Sequence, residues 1–149
     1  PRIRLPEAAS GGWDRPAGSE IVLASPGARL GPGWYRMHDA GDDDFRRFAL
    51  EASLALAAPP GGDAELRVDI GNDHAATRPL GLRVLVNGRE IGRVVPGPGW
   101  NRLAFPVRGA GPGACIVTFR AEGLYSAEDT GEPTDLSFKV RSAGLHPAP

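Results

Sequence analysis

Trp100, Asn101 and Arg102 stand together at the head of an alternating run, Trp100-Asn101-Arg102-Leu103-Ala104-Phe105. Successive side chains of an extended strand point to opposite faces, so Trp100 shares a face with Arg102 and Ala104, opposite Leu103, Phe105 and Val107. An outward indole flanked by amide and guanidinium donors suits a sugar ring: the apolar ring face stacks on the indole while the hydroxyls take hydrogen bonds in the plane. Trp34, Tyr35, Arg36 and His38 form a second such set, and Tyr125 lies in the long loop before the last strand, where a binding rim fits. The competing reading is that a bulge or register change turns either tryptophan into the core. Trp13, in Gly11-Gly12-Trp13-Asp14, reads as a loop anchor.

Other chemistries find less support. None of the serines sits in the Gly-x-Ser-x-Gly frame of a nucleophile elbow. Gly109-Ala110-Gly111-Pro112-Gly113 looks like a phosphate loop, but an alternating strand follows it instead of a helix N-terminus, so it reads as a hairpin loop. His38, His74 and His146 lack zinc spacing. Asp42, Asp43 and Asp44 crowd one loop, and Asp69, Asn72 and Asp73 another; they offer oxygen ligands of the kind calcium takes, without the regular calcium-loop pattern. Turns select Asp and Asn for backbone reasons alone. The expectation is therefore no cofactor, with structural calcium at Asp42, Asp43 and Asp44 as the exception. Carboxylates for glycoside hydrolysis exist in Glu51, Glu122, Glu128 and Asp135, but only their separation in space would be diagnostic.

Charge and composition set further bounds. Lys and Arg number 17 against 18 Asp and Glu, and the basic residues are scattered, so no nucleic-acid footprint is present. No run approaches the length of a membrane span and no leader opens the chain, so no membrane insertion is expected. The first residue is Pro1 and not Met, which reads as a processed or excised piece. The single cysteine, Cys115, falls in an apolar alternating run and reads as a core thiol. At 149 residues one core suffices without disulfides or metals.

The elements that must position these residues are strands. Leu80–Val86 and Arg89–Val95 flank Asn87-Gly88, the preferred pair of a two-residue type I′ hairpin turn. Period-two alternation recurs at Leu66/Val68/Ile70, Leu82/Val84/Val86, Leu103/Phe105/Val107, Cys115/Val117/Phe119 and Leu136/Phe138/Val140. Glu20–Ala24, Gly33–Met37 and Arg2–Leu5 add further candidates. From Asp44 to Ala57 the even positions Phe48, Leu50, Ala52, Leu54 and Leu56 alternate as a strand, while the Ala, Leu, Glu and Arg content also suits a helix. Pro59–Gly62, Pro96–Gly99 and Gly109–Gly113 interrupt the runs. The pattern predicts an all-β fold: an antiparallel β-sandwich, jelly-roll-like, with eight or nine strands and at most one short helix. One domain is expected over 1–149, with an irregular arm at 1–19 and a tail or linker start at 145–149.

The order Gly33-Trp34-Tyr35, Phe45-Arg46, Val86-Asn87-Gly88, Gly99-Trp100-Asn101-Arg102-Leu103 and a closing segment from Asp129 to Val140 resembles the jelly-roll, galactose-binding-like accessory domains attached to bacterial glycosyltransferases and other surface-polysaccharide enzymes. The resemblance covers roughly 20–145. It implies that Tyr35 and Trp100 lie near a ligand or in the inter-sheet core, and a bacterial setting in the cytoplasm or at the cell envelope. Where such domains often carry an Asp-x-Arg-x-Leu-Gly-like segment, this chain has Asp135-Leu136-Ser137-Phe138-Lys139-Val140. The expected function is a non-catalytic carbohydrate-binding module with a glycan or polysaccharide as partner and an adjoining enzyme domain. Trp34, Tyr35, Arg36, His38, Trp100, Asn101, Arg102 and Tyr125 are its site residues. The alternative is a structural module that packs on a partner enzyme domain or self-associates. A small sandwich enzyme would need a nucleophile, base or metal set that the sequence does not display.

Overall fold

The computed structural model describes residues 6–25, 27–35, 44–131 and 135–149. Among them the chain forms β1 (Glu20–Val22), β2 (Arg46–Arg47), β3 (Glu51–Ala57), β4 (Ala64–Asn72), β5 (Leu82–Val86), β6 (Arg89–Val94), β7 (Gly99–Val107), β8 (Ala114–Ala121), a short helix α1 (Ala127–Thr130) and β9 (Lys139–Pro147). Two antiparallel sheets result, one ordered β1-β9-β4-β7 with β2 also paired to β9, the other β3-β8-β5-β6. The expected β-sandwich is the observed fold. None of the described helices is long and apolar enough to cross a membrane.

The alternating apolar positions are what close it. Leu66, Val68 and Ile70 of β4 join Val140, Ala143 and Leu145 of β9 on one inner face; Leu54 and Leu56 of β3, Leu82, Val84 and Val86 of β5, and Cys115, Val117 and Phe119 of β8 form the other. Each large side chain removed from water contributes about 1.5–3 kcal/mol. The Asn87-Gly88 turn has φ 51 and 81°, the positive pair a type I′ turn requires. Asn87 also ties this turn to β8: its N–H donates to Ile116 O, and its Oδ1 accepts from Ile116 N–H, both at 2.8 Å.

Several expectations are corrected. Gly109–Gly113 is not a hairpin loop, because β7 and β8 lie in different sheets; Pro59–Gly62 and Pro96–Gly99 likewise carry the chain from one sheet to the other. The Pro and Gly clusters thus mark sheet crossings, where the backbone must turn without a ladder partner. The segment 44–57 is extended, as β2 and β3, with a break at Ala49-Leu50 that leaves Leu50 55% exposed. Ser137 holds the break: its N–H donates to Phe48 O at 3.0 Å, and its Oγ lies 2.5 Å from Ala49 O. The expected strand at 136–140 begins only at Lys139 and runs to Pro147, so 145–147 is strand and not tail, with Leu145 buried. Of the other expected strands, Trp34 makes an isolated bridge to Phe48, and 2–5 and 36–37 lie outside the described residues.

At the centre of the sandwich Trp34 meets Phe48 and Phe119 edge-on, with ring centroids 5.5 and 6.0 Å apart, and Phe48 also packs on Phe138. The indole N–H, which would be costly to bury unpaired, donates to Ser53 O at 2.8 Å. Gly33 lets this indole in. Its φ is +103°, and a Cβ there would stand 2.0 Å from Glu51 O and 2.7 Å from Ala52 Cα, both backbone atoms of β3. Gly33→Ala is therefore expected to destabilise the fold by about 3 kcal/mol or more, read as a drop in the urea unfolding midpoint.

Candidate functional site

The outer face of the β1-β9-β4-β7 sheet collects the outward side chains that the inner alternation leaves over. On β7 these are Trp100, Arg102 and Ala104, all exposed, as parity requires. The register sets Gly71 of β4 between Trp100 and Lys139, Asp69 between Arg102 and Ser142, and Arg67 between Ala104 and Gly144. A bulge between Asp69 and Ile70 leaves Arg141 without a partner on β4.

Trp100 is 36% exposed and is not a bare platform. The Arg141 guanidinium lies 3.9 Å from the ring centroid, Lys139 Nζ lies 4.6 Å from it, and Phe45 meets the ring edge-on at 5.9 Å. Such cation–π contacts hold long side chains against the indole at about 0.5–1 kcal/mol each at an exposed site. Gly71 makes the stack attainable, since a Cβ there would fall 2.7 Å from Lys139 Cε and 3.2 Å from Trp100 Cε3. Behind the stack, Asp73 takes Lys139 Nζ at 2.8 Å and Arg47 at 2.9 Å. Burial alone would push the Asp73 carboxyl up, but the hydrogen bonds from Lys139 and Arg47 outweigh it and hold it below its ordinary value.

Beside the stack the face dips into a groove of about 440 Å³, bordered by residues of β1, β9, β4 and β7. Arg102 stands at its β7 end without an ion-pair partner among the described residues. Arg67 is held by Glu65 at 2.7 Å, and Glu20 by His146 at 3.3 Å. Asp69 and Arg141 pair at 3.5 Å, too long for a strong hydrogen bond, and Asp69 Oδ1 and Arg141 Nε are buried without hydrogen-bond partners. Three exposed cations of the opposite sheet are matched: Glu122 takes Arg93 at 2.6 Å and Arg83 at 3.0 Å, and Arg120 meets Glu51 at 3.2 Å.

The structure separates the expected site residues. Trp100 and Arg102 lie together on the exposed face. Trp34, 1% exposed, is a core residue and not a stacking platform, because the chain enters the sandwich at Gly33. Tyr35 is also buried, its hydroxyl donating to Asp135 O at 3.0 Å. Tyr125 is buried beneath a loop; its hydroxyl donates to Arg78 O at 2.7 Å and accepts from Asn72 Nδ2 at 2.9 Å. Asn101 points away from Trp100 and clamps the loop before β7, donating to Gly97 O and Gly99 O and accepting from Gly97 N–H. Arg36, His38, Asp42 and Asp43 lie outside the described residues. Asp44 approaches Arg141 at 3.5 Å, and the second acidic set is taken up by the protein itself: Asp69 by Arg141, Asn72 by Tyr125, Asp73 by Lys139 and Arg47. Sequence reasoning missed Lys139, Arg141 and Phe45, whose nearness to Trp100 depends on strand order and on the bulge.

No protein-family model matches the sequence, and no curated protein matches it. Solved structures do share the fold. One is a cycloisomaltooligosaccharide glucanotransferase from Paenibacillus sp. complexed with cycloisomaltoheptaose, 14% identical with a TM-score of 0.54 over 93% of this chain and 19% of that one. Another is the mosquito-larvicidal Cry4Aa toxin of Bacillus thuringiensis, 11% identical with a TM-score of 0.53 over 70% of this chain and 19% of that one. A family 35 carbohydrate-binding module from Clostridium thermocellum is matched at 16% identity and a TM-score of 0.47, over 87% and 89% of the two chains. The chain thus spans 19% of the length of each of the first two proteins.

The Asp73 bridge sets a pH dependence. A carboxyl whose native pKa is lowered adds stability in full above its unfolded value, about 3.9, and loses it as pH falls through the native value. The melting-temperature gap between the wild type and Asp73→Asn is expected to be constant near neutrality and to narrow below about pH 4. Thermal unfolding followed by circular dichroism across that range checks it.

Proposed function

We propose that this chain is a non-catalytic carbohydrate-binding module that takes a glycan on the outer face of the β1-β9-β4-β7 sheet. The observation that carries the reading is the row on β7: an exposed indole at Trp100, a guanidinium at Arg102 without an ion-pair partner among the described residues, and a low step at Ala104, leading into the groove. An indole offers its face to the C–H side of a pyranose, and a guanidinium presents fixed donors to hydroxyl oxygens. Arg141 and Lys139 fix the indole, so little side-chain freedom is lost on binding.

The likeness to part of a glucanotransferase crystallised with a cyclic oligosaccharide is in keeping with this reading, as is attachment to a larger polysaccharide-related protein. The same sandwich occurs in an insecticidal toxin, so the fold leaves the function open and the site must decide it. Trp and Arg are also the residue types that anchor protein interfaces, which keeps a docking module as the second reading.

Titration of this chain with the glycans that score on an array tests the proposal. Trp100→Ala and Arg102→Ala are each expected to weaken binding about tenfold or more, while Arg120→Ala, on the opposite sheet, leaves it unchanged. Equal affinity in all of these variants would remove the face from consideration. Failure of the wild type to bind any glycan would favour the docking module.

A further inference from the structure

The groove is a trough running across the strands. Its floor is the backbone of one transverse row, Ile21, Ala143, Val68 and Leu103, which the register places side by side on β1, β9, β4 and β7. The side chains of these residues turn inward toward the core, so the trough is floored by peptide groups already paired in the ladder. One bank is the row Val22, Ser142, Asp69 and Arg102; the other is Glu20, Gly144, Arg67 and Ala104.

We infer that this trough accepts an uncharged, unbranched stretch of glycan and grips it along the chain and not at an end; the inference rests on the carbohydrate reading above. Three features carry it. First, β1 and β7 end the ordered strand path β1-β9-β4-β7, and the trough reaches both of them. At the β7 mouth one bank falls to the small side chain of Ala104, while the other ends in Arg102. Four strands at the usual spacing make a trough about 14 Å long. That length holds a short run of sugars and leaves both ends of the run free to continue. Second, the banks are two positions apart along each strand, about 7 Å between Cα atoms, which admits one chain and leaves no room for a branch on the floor.

Third, the charges are balanced and interleaved. Each bank carries one carboxylate and one guanidinium, Asp69 with Arg102 and Glu20 with Arg67, and Asp69 and Arg67 face each other across the trough on β4. A neutral polyol finds donors and acceptors on both sides. A uronate entering the same trough meets a carboxylate wherever it meets a guanidinium, and this repulsion is what separates the two classes of sugar.

The test is calorimetric titration with linear neutral glucose, xylose and mannose oligomers from disaccharide to hexasaccharide, their borohydride-reduced forms, and galacturonate oligomers of matching length. Affinity is expected to rise with length and level off once the trough is filled. It should be indifferent to reduction of the chain end and at least about tenfold weaker for the galacturonates. Ala104→Leu, at an exposed position whose substitution leaves folding intact, should weaken the longest neutral oligomers about tenfold by closing one mouth. Tightest binding to the shortest sugar, loss of binding on end reduction, or preference for galacturonate would each overturn the inference and leave carbohydrate binding standing. Binding to none of these sugars, neutral or acidic, would overturn both.

Discussion

Burial of the Trp34 indole against Phe48 and Phe119, with Phe138 packed behind Phe48, is the contact on which the rest of the molecule depends. It joins the two sheets at their centre, and its hydrogen bond to Ser53 O fixes the incoming chain against β3. Side chains alternate with period two, so once Leu66, Val68 and Ile70 are committed to that core, Arg67, Asp69 and Gly71 have no choice but the outer face. The outer face is thus specified from behind. A slip of one residue in β7 would put Trp100 in the core and Leu103 in water.

How much of this was legible in the sequence differs from strand to strand. β4, β5, β7 and β8 declare themselves by alternation, and Asn87-Gly88 declares its turn, because both signals are local. The outward aim of Trp100 and Arg102 follows from the same parity. β9 hides. Ser142, Ala143 and Gly144 have weak strand preference, and the Pro-rich end after Leu145 looks like a linker, yet these small residues are what keep both sides of the groove low where it crosses β9. Trp34 and Trp100 both follow a glycine and both sit beside basic residues, so composition cannot tell the core indole from the surface one. Both preceding glycines have a positive φ, and what separates them is the close approach of the β3 backbone at Gly33 against open space at Gly99, a property of the folded chain.

The two outer faces handle charge differently. On β5, β6 and β8 the guanidiniums of Arg83 and Arg93 converge on Glu122, whose carboxyl is held below its ordinary range by the hydrogen bond from Arg93 first and Arg83 second. Such a cluster satisfies its own charges. On the groove side Arg102 has no ion-pair partner among the described residues and the Asp69–Arg141 pair is imperfectly joined, so polar capacity is left over. The contrast arises from register. Glu122 follows β8 directly and reaches both neighbouring arginines, whereas the bulge opposite Asp69 carries Arg141 off its row and onto the indole.

Cys115 is fully buried on β8, its sulfur 3.2 Å from Ala110 O, and burial pushes its thiol pKa up. A thiol is reactive as the thiolate, so the folded chain shields its single sulfur twice, by access and by protonation. With one cysteine in its sequence the chain can close no internal disulfide, so the order of the sandwich rests on packing and strand pairing and not on the redox state of that sulfur.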